Sequence, residues 1–188
     1  FRAPQLLLFA ADHGLAVDGI GATERQTTQA LVHSVLASQL PVSAFAAMQG
    51  LEMTVVDCGI AKPMAPHPRL LARKIAHGTR NARVSAAMSL DQAQAAIRAG
   101  MEIADSLTGN AVACAGIGVG AHESAALVLA RLTDSPVRDL VISGPQMSED
   151  EIAHLQVVLQ GAQGRHRDAA DPVEVVAAFG GFELAMMV

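Results

Sequence analysis

Apolar and polar positions follow two different periodicities along this chain. Short continuous apolar runs, which are typical of strands covered on both faces, predict strands at 6–11, 53–56, 111–115 and 138–142. Apolar residues at helical spacing predict helices at 29–48, 91–107, 121–132, 148–160 and 173–179. Strands that alternate with helices indicate parallel β-α-β units, so the chain is expected to be an α/β protein.

Particular residues sharpen the helix ends. Pro41 is expected to break or kink the first helix. Ser89 and Gln92 have the spacing of a capping box, and Ser148 caps the helix predicted from 148. Asp171 is the predicted cap of the last helix, with Pro172 at its first position.

Three stretches have no such pattern. Residues 61–83, with three prolines among basic residues, and 161–171, which are polar and contain glycine, are predicted to be irregular. Residues 182–188 are largely apolar and remain so up to Val188, which suggests further sequence or a partner surface that covers them.

Length and composition limit the class of protein. With 188 residues, 51% of them hydrophobic and 16% charged, the chain suits one well-buried domain. A net charge of −5 and the lack of Trp and Tyr argue against a nucleic-acid-binding surface. No apolar stretch approaches the roughly 18–20 residues that span a bilayer, so no membrane partner is expected.

The cysteines and the first residue add two expectations. Cys58 and Cys114 lie in or beside apolar runs and are predicted to be buried free thiols, which fits a reducing cytoplasm. The chain begins at Phe1 without Met, so it is expected to be a fragment.

Four short motifs contain most of the residues that suggest chemistry. They are Ala-Asp-His-Gly at 11–14, Gly-Thr-Arg-Asn at 78–81, Gly-Ile-Gly-Val-Gly at 116–120 and Gly-Gly-Phe-Glu at 180–183. In open α/β sheets, ligands bind outside the carboxyl ends of strands. The first and third motifs follow predicted strands, so a small-molecule site is expected there.

The glycine loop 116–120 has three interpretations. It leads into a predicted helix, whose N-terminus favours an anion or another small ligand. It also has the Gly-x-Gly-x-x-Ala spacing of a dinucleotide site, but that site needs an acid at the end of the next strand, and Asp139 lies near the start. Alternatively, the glycines serve only the tight packing of strand against helix.

The motif at 11–14 has two interpretations. Asp12, at the carboxyl end of a strand, either orients His13 or holds a polar edge of a ligand. Alternatively, Asp12 caps a turn in which Gly14 supplies a positive φ.

Basic side chains concentrate between 67 and 83 in an otherwise acidic protein. They are His67, Arg69, Arg73, Lys74, His77, Arg80 and Arg83. Most are expected to be solvated surface residues. Arg80 is the exception, because the turn at 78–81 presents a guanidinium and the Thr79 hydroxyl together, which suits a phosphate.

Other common catalytic patterns are missing from the sequence. The histidines, cysteines and acids have no metal-site spacing, and the chain has neither a P-loop nor a serine nucleophile elbow. Neither a metal nor another cofactor is therefore predicted.

Taken together, the motifs resemble the nicotinate-nucleotide–dimethylbenzimidazole phosphoribosyltransferase family, whose members make α-ribazole phosphate for the lower ligand of cobalamin. The similar stretches run in the family's order and span nearly the whole chain, at 9–22, 55–61, 77–107, 116–130 and 171–187. The resemblance implies a three-layer, Rossmann-like α/β domain over 1–188, with a mainly parallel sheet and usually found as a homodimer. It also implies transfer of phosphoribose from nicotinate mononucleotide to a benzimidazole-type base.

The same resemblance implies roles for individual residues. The loop after the first strand would line the base pocket with Asp12, His13, Gly14, Gly21 and Arg25. The phosphate and ribose would lie against Thr79, Arg80, Gly116, Gly118, Gly120, Ala121, His122 and Gly144.

The chain departs from the family's pattern at several positions. Gly116 stands where the family has Glu, and the residues at 121–123 replace Asn-Thr-Thr. Gly144 begins a Gly-Pro-Gln stretch in place of Gly-Thr-Gly, Leu155 replaces a Lys, Gly21 a Ser and Arg25 a Gln.

The family's catalytic residue is a further departure. The resemblance implies a Glu that acts as general base for the azole N–H proton. In this family pattern it would lie beyond Val188, so no catalytic residue is assigned within the chain. Residues 1–188 alone are therefore expected to be inactive.

Two hypotheses on function remain. The first is a cytoplasmic phosphoribosyltransferase that binds a nucleotide and an azole base. The alternative is a diverged, non-catalytic relative that binds a nucleotide or a base.

Overall fold

The computed structural model describes residues 1–20, 27–141 and 147–188. Within these residues, four strands form one sheet in the order β3-β2-β1-β4, and each neighbouring pair is parallel. The strands are β1 (Gln5–Ala11), β2 (Glu52–Gly59), β3 (Leu70–Ala72) and β4 (Val112–Ile117). The predicted α/β class with a parallel sheet is confirmed.

Helices cover both faces of this sheet. They are α1 (Thr28–Leu36), α2 (Pro41–Met48), α3 (Leu90–Ser106), α4 (Ala121–Thr133), α5 (Val137–Leu140), α6 (Glu149–Arg165), α7 (Pro172–Phe179) and α8 (Phe182–Met187). Successive side chains of a strand point to opposite faces. Leu8 and Ala10 of β1 pack with α1 and α2, whereas Phe9 and Ala11 pack with residues of α3, α4, α7 and α8. The result is the three-layer arrangement that was expected.

The strand order determines where loops can meet. From β1 the chain passes through α1 and α2 to β2 on one side, whereas β4 lies on the other side of β1. The loops that leave β1 and β4 therefore border a gap at the carboxyl edge of the sheet. This reversal is the topological switch point at which open α/β sheets bind ligands.

The predicted helix caps are confirmed. Ser89 and Gln92 form a capping box at the start of α3, and Ser148 forms one with Glu151 at α6. The Asp171 side chain accepts hydrogen bonds from the first amides of α7, whose first residue is proline. These ends follow local sequence because each cap satisfies amides within three residues of itself.

The break predicted at Pro41 is also confirmed, since α1 ends at Leu36 and α2 begins at Pro41. Taken as one segment, Thr28–Met48 has the length and the mean hydropathy, 1.4, of a membrane-spanning helix. The expectation that no stretch approaches that length is therefore wrong. One such segment is weak support for a membrane span, because helices of soluble proteins have the same composition.

The strand predicted at 138–142 is wrong, because α5 occupies Val137–Leu140. The chain turns after Pro136, and the amide of Val141 donates to the carbonyl of Val137 at 3.1 Å. Arg138 and Asp139 are successive charges that would point to opposite faces of a strand, so a strand covered on both faces would bury both of them. Residue 142 lies outside the described residues.

The two segments predicted to be irregular differ in outcome. Residues 61–83 are irregular except for β3, whose three residues pair with Val55, Val56 and Asp57 of β2. Residues 161–165 instead continue α6. Burial of Val158 and Ala162 holds this part of α6 against the core and outweighs the cost of about 1 kcal/mol for each helical glycine.

The prediction for the cysteines holds only for Cys58, which is buried in β2 and whose thiol pKa is raised chiefly by burial. Cys114 is exposed, so its predicted burial is wrong. The reason is that β4 is an edge strand of the described sheet, and residues 112–116 are exposed.

The apolar segment 182–188 finds its cover within the chain. It forms α8, where Phe182, Ala185 and Met186 are all buried in the main hydrophobic core. The helix packs on α3 and β1. Val188 follows the helix and is the exception, with 81% of its surface exposed. The expectation that a partner or further sequence must cover the whole segment is therefore wrong. Within the segment, Val188 alone does not pack against the core.

Replacing Phe182 with alanine is expected to lower the free energy of unfolding by about 3–5 kcal/mol, as large-to-small changes of a core phenylalanine do. Phe182 is 1% exposed and lies against Gly59. Phe45 is 63% exposed, so Phe45→Ala is the matched control, with an expected change within about 0.5 kcal/mol. Urea unfolding measures both, and equal effects would show that α8 is not docked as described.

Candidate ligand site at the carboxyl edge of the sheet

The four sequence motifs meet at the carboxyl edge of the sheet. The amide of Thr79 donates to the carbonyl of Asp12 at 3.0 Å, which joins the second motif to the first. Gly118 approaches the backbone of Ala11, and Gly181 lies against His13. Segments that are up to 170 positions apart in sequence are thus in contact around the end of β1.

The loop after β1 is fixed to the turn at 78–81. The amide of Gly14 donates to the Thr79 hydroxyl oxygen at 3.2 Å. A side chain at Gly14 would overlap the backbone of Arg80 and Asn81. Gly14 is not among the glycines with positive φ. Close approach rather than a positive φ therefore accounts for this glycine, and the turn interpretation is wrong on that point.

Asp12 holds two strand ends together. Its Oδ2 accepts a hydrogen bond from the amide of Ala61 at 2.7 Å, and its own amide donates to the carbonyl of Gly59 at 3.0 Å. Asp57 does similar work at the end of β2, since it accepts from the amide of Ile60 at 2.9 Å. The hypothesis that Asp12 orients His13 through a hydrogen bond is not supported, because another residue contacts the imidazole.

That residue is Glu183, whose Oε1 lies 3.0 Å from Nε2 of His13. Both side chains are almost completely buried, with 2% and 3% exposure. The N–H direction at Nε2 makes no aligned hydrogen bond, and Oε2 of Glu183 has no hydrogen-bond partner among the described residues. The contact therefore combines attraction between the charges with a poorly aligned hydrogen bond.

The surroundings favour the protonated form of His13. Burial, the largest single effect, lowers the pKa of His13, but the nearby Glu183 carboxylate, with Asp12 and Glu123, outweighs it. The pKa of His13 is consequently raised above its ordinary value. The raised pKa and the 3.0 Å distance favour an imidazolium paired with the Glu183 carboxylate.

The glycine loop 116–120 combines close packing with a helix start. A side chain at Gly118 would overlap the carbonyl oxygen of Ala11. Gly120 caps α4 with φ +86°, a conformation that favours glycine. The amide of Val119 donates to the buried Thr28 hydroxyl at 3.0 Å. Tight packing thus accounts for Gly118, while the N-terminus of α4 retains the partial positive charge that attracts anions.

Among residues 1–20, 27–141 and 147–188, the dinucleotide interpretation lacks its structural context. That site needs a strand after the glycine-rich helix, with an acid at its end. Residues 137–140 form helix α5 instead, and Asp139 is an exposed residue of that helix. The arrangement at 116–120 therefore differs from a dinucleotide fingerprint.

The Arg80 guanidinium and the Thr79 hydroxyl do not face the same point. Its side chain is exposed, and Nε donates to the carbonyl of Ala86 at 2.9 Å. The Thr79 hydroxyl instead accepts from Gly14. The sequence-based expectation that both groups face one phosphate is not met in this arrangement.

The remaining predicted residues fall into three groups. Gly116 is the second-last residue of β4 and lies beside the side chain of Glu183, and Ala121 and His122 begin α4. Leu155 is a buried core residue. Outside the described residues lie Gly21, Arg25 and Gly144. Among the described residues, no group of three or more His, Cys, Asp or Glu side chains has the proximity of a metal site.

Sequence patterns alone do not identify Glu183 as the partner of His13, although they contain a signal. Glu183 is the one charged residue in the apolar sequence 175–188, and a lone acid in such a segment is rarely buried without a partner. Asp18 is missed as well. It accepts from Asn81 Nδ2 at 2.7 Å and pairs with Arg83 at 3.2 Å, contacts that no local pattern indicates.

Comparisons with known proteins agree with this architecture. A family model described as phosphoribosyltransferase matches residues 1–188. The nicotinate-nucleotide–dimethylbenzimidazole phosphoribosyltransferases of Variovorax paradoxus and Cupriavidus taiwanensis are 39% and 36% identical, over 100% and 99% of this chain. The crystal structure of CobT from Thermus thermophilus is 29% identical, with a TM-score of 0.88 over 99% of this chain.

The chain spans only part of these relatives. It covers 54% and 55% of the two curated proteins and 56% of the Thermus thermophilus chain. The similarity thus concerns about half of each relative's length.

Gly118→Ala is expected to lower the free energy of unfolding by about 1–3 kcal/mol, because the added methyl group overpacks the loop against β1. Gly164→Ala is the matched control, since nothing lies within 4 Å of a side chain there. A helical Gly→Ala change at this open position is expected to raise stability by roughly 0.5–1 kcal/mol. Thermal or urea unfolding distinguishes them, and a neutral Gly118→Ala would argue against the close approach.

Proposed function

The chain belongs to the phosphoribosyltransferase family, and we propose that its protein transfers phosphoribose from nicotinate mononucleotide to a benzimidazole-type base. One observation carries this proposal beyond family membership. The loop after β1, the turn at 78–81 and the loop at 116–120 meet beside the gap between β1 and β4. That gap is where open α/β sheets bind nucleotides and related ligands.

We propose that the nucleotide's ribose and phosphate lie at the entrance to α4. The N-terminus of a helix favours an anion through its dipole and its backbone amides. Gly116, Gly118 and Gly120 let this loop pack closely on Glu183, β1 and His13, and Ala121 and His122 form the first turn of α4. In this proposal Arg80 completes the phosphate site by exchanging its bond to Ala86 for the phosphate, while Thr79 acts indirectly, through its bonds to Gly14 and Asp12. Gly144 is assigned to the same subsite by family resemblance.

The azole base is proposed to bind against the loop after β1. Asp12 and Gly14 fix the backbone of this loop through their bonds to Ala61 and Thr79. Gly21 and Arg25 are assigned to the base pocket by family resemblance. His13 is buried, so its contribution to this pocket is indirect.

The proposed reaction exchanges one bond at the ribose anomeric carbon for another. The bond to the nicotinate nitrogen breaks, and a bond to the azole nitrogen forms. A general base must take the azole N–H proton, and such bases contribute typically ~10²–10⁴-fold to rate. We assign no catalytic base among the described residues up to Val188, because the family resemblance places the catalytic Glu beyond that residue. The proposed work of the described residues is to hold both substrates in line, which can contribute comparably.

The alternative of a non-catalytic relative has no specific support, because the relatives at 36% and 39% identity are named as transferases. A homodimer and a cytoplasmic location are proposed from family resemblance alone.

The function is tested with the protein expressed from its whole reading frame. Incubation with nicotinate mononucleotide and dimethylbenzimidazole is expected to release nicotinate and form α-ribazole phosphate in equal amounts, measured by chromatography. Without the base, nicotinate release should be slow, because hydrolysis is not the proposed reaction. No product after hours at high enzyme concentration would reject the proposal.

The phosphate subsite is tested through Arg80. Arg80→Ala is expected to weaken nicotinate mononucleotide binding about tenfold, the usual effect of losing one hydrogen bond to a charged group. Nicotinate riboside, which has no phosphate, should bind the variant and the original protein equally. Arg98→Ala, which alters another exposed arginine on α3, is the control. Calorimetry measures these affinities, and unchanged nucleotide binding would remove Arg80 from the site.

A further inference from the structure

We propose that the buried contact of His13 with Glu183 positions the loop after β1, and that this ordering is strongest while His13 is protonated. The inference deepens the proposed function, since this loop is the proposed base-binding segment. His13 and Glu183 are positioning residues, because neither side chain reaches the surface at which a substrate would bind.

The first argument is the location of the pair. His13 belongs to the loop after β1, and its side chain contacts the start of α4, since a side chain at Gly120 would meet His13 Cβ at 3.0 Å. Glu183 belongs to α8, and a side chain at Gly116 would meet its Cγ at 3.3 Å. One contact of 3.0 Å therefore links the loops after β1 and β4 to the last helix.

The second argument concerns what the pair holds in place. Gly14 follows His13 directly, and its amide donates to Thr79, whose own amide donates to Asp12. A shift of His13 moves both of these hydrogen bonds. The positions of the base-binding loop and the turn at 78–81 thus depend on a contact that lies below them.

The third argument is electrostatic. The charged groups that act on His13 are Glu183 from α8, Asp12 from its own loop and Glu123 from α4. The Cys58 thiol of β2 is also near Glu183 and is held neutral by burial, which raises its pKa. All three charged neighbours are acidic, so a neutral His13 would leave buried Glu183 without a compensating cation.

The pH dependence has a definite sign. The pKa of His13 in the folded protein lies above its ordinary value of about 6.5, because Glu183 more than offsets the opposing effect of burial. The stabilisation is therefore complete below about pH 6.5 and is lost as pH rises through the folded-state pKa. Glu183→Gln removes the largest effects that raise this pKa, so the pKa of His13 is expected to fall and the loss of stability with rising pH to shrink.

The test compares the full chain with Glu183→Gln, which keeps the shape and removes the charge, and with Glu183→Asp, which retains it. Glu102→Gln, at an exposed acid of α3, is the matched control. Amide hydrogen exchange at Gly14 and Thr79 is measured against pH and corrected for intrinsic rates. Glu183→Gln is expected to accelerate exchange at both amides roughly tenfold, the scale of a lost coupled contact. Glu183→Asp should restore part of the protection, and the amides of α6 should not change.

The original protein alone also tests the proposal, even if Glu183→Gln does not fold. Its Gly14 and Thr79 amides should lose protection as pH rises above neutrality, ahead of the amides of α6. Protection that is independent of pH, or lost equally throughout the domain, would overturn the proposal.

Activity provides a separate readout, which depends on the proposed function. With the protein from its whole reading frame, Glu183→Gln is expected to lower kcat about 10- to 100-fold, the effect of small misplacements at reacting groups. In the original protein kcat is expected to decline as pH rises through the folded-state pKa of His13, and this decline should disappear in the variant. An unchanged kcat profile beside altered unfolding would make the pair merely structural and reject the proposal. If the original protein transfers no phosphoribose, the proposed function fails, while the exchange measurements still decide the positioning role.

Discussion

The ion pair between His13 and Glu183 is the interaction on which the arrangement at the sheet edge depends. Both side chains are buried, so each charge lost its hydration when the chain folded, and the partner's charge is the main compensation for that loss. This desolvation cost arises where the loops after β1 and β4 meet helix α8. Removing either charge would leave the other buried and unpaired, so these segments are constrained to move together.

The glycines of the motifs reflect a second constraint at this edge, which is the close approach of backbone to backbone. Gly118 packs on the carbonyl of Ala11, and Gly14 packs on the backbone of the turn at 78–81. Backbone that approaches backbone this closely leaves no space for a side chain. Polar side chains from neighbouring elements then satisfy the exposed amides, as Thr28 does for Val119 and Asp12 for Ala61. The loops at this edge are consequently held together by close backbone packing and by these hydrogen bonds.

The sequence predicts the parts of this structure that depend on local interactions, and it fails where distant segments decide. Capping residues act within three positions, so Ser89 and Ser148 mark their helices correctly. The sequence pattern predicts a strand where the structure has the helix Val137–Leu140. A short apolar run does not reveal whether a sheet edge is available to pair with it. The exposure of Cys114 depends on the edge position of β4. The partnership of His13 with Glu183 is a contact across 170 positions, and only the isolation of Glu183 in an apolar segment indicates it.

The charges around this site set a condition on any anionic ligand. Asp12, Glu123 and Glu183 all act on His13, and the His13 cation is already matched by Glu183. Glu123 lies in the first turn of α4, where an acid is favoured by the helix dipole and competes with a phosphate for it. Attraction of a phosphate therefore has to come from backbone amides and from a cation outside the pair. Arg80 is the motif residue with an exposed guanidinium. We propose that it exchanges its present bond to the neutral carbonyl of Ala86 for one to a phosphate, in which donor and acceptor are both charged.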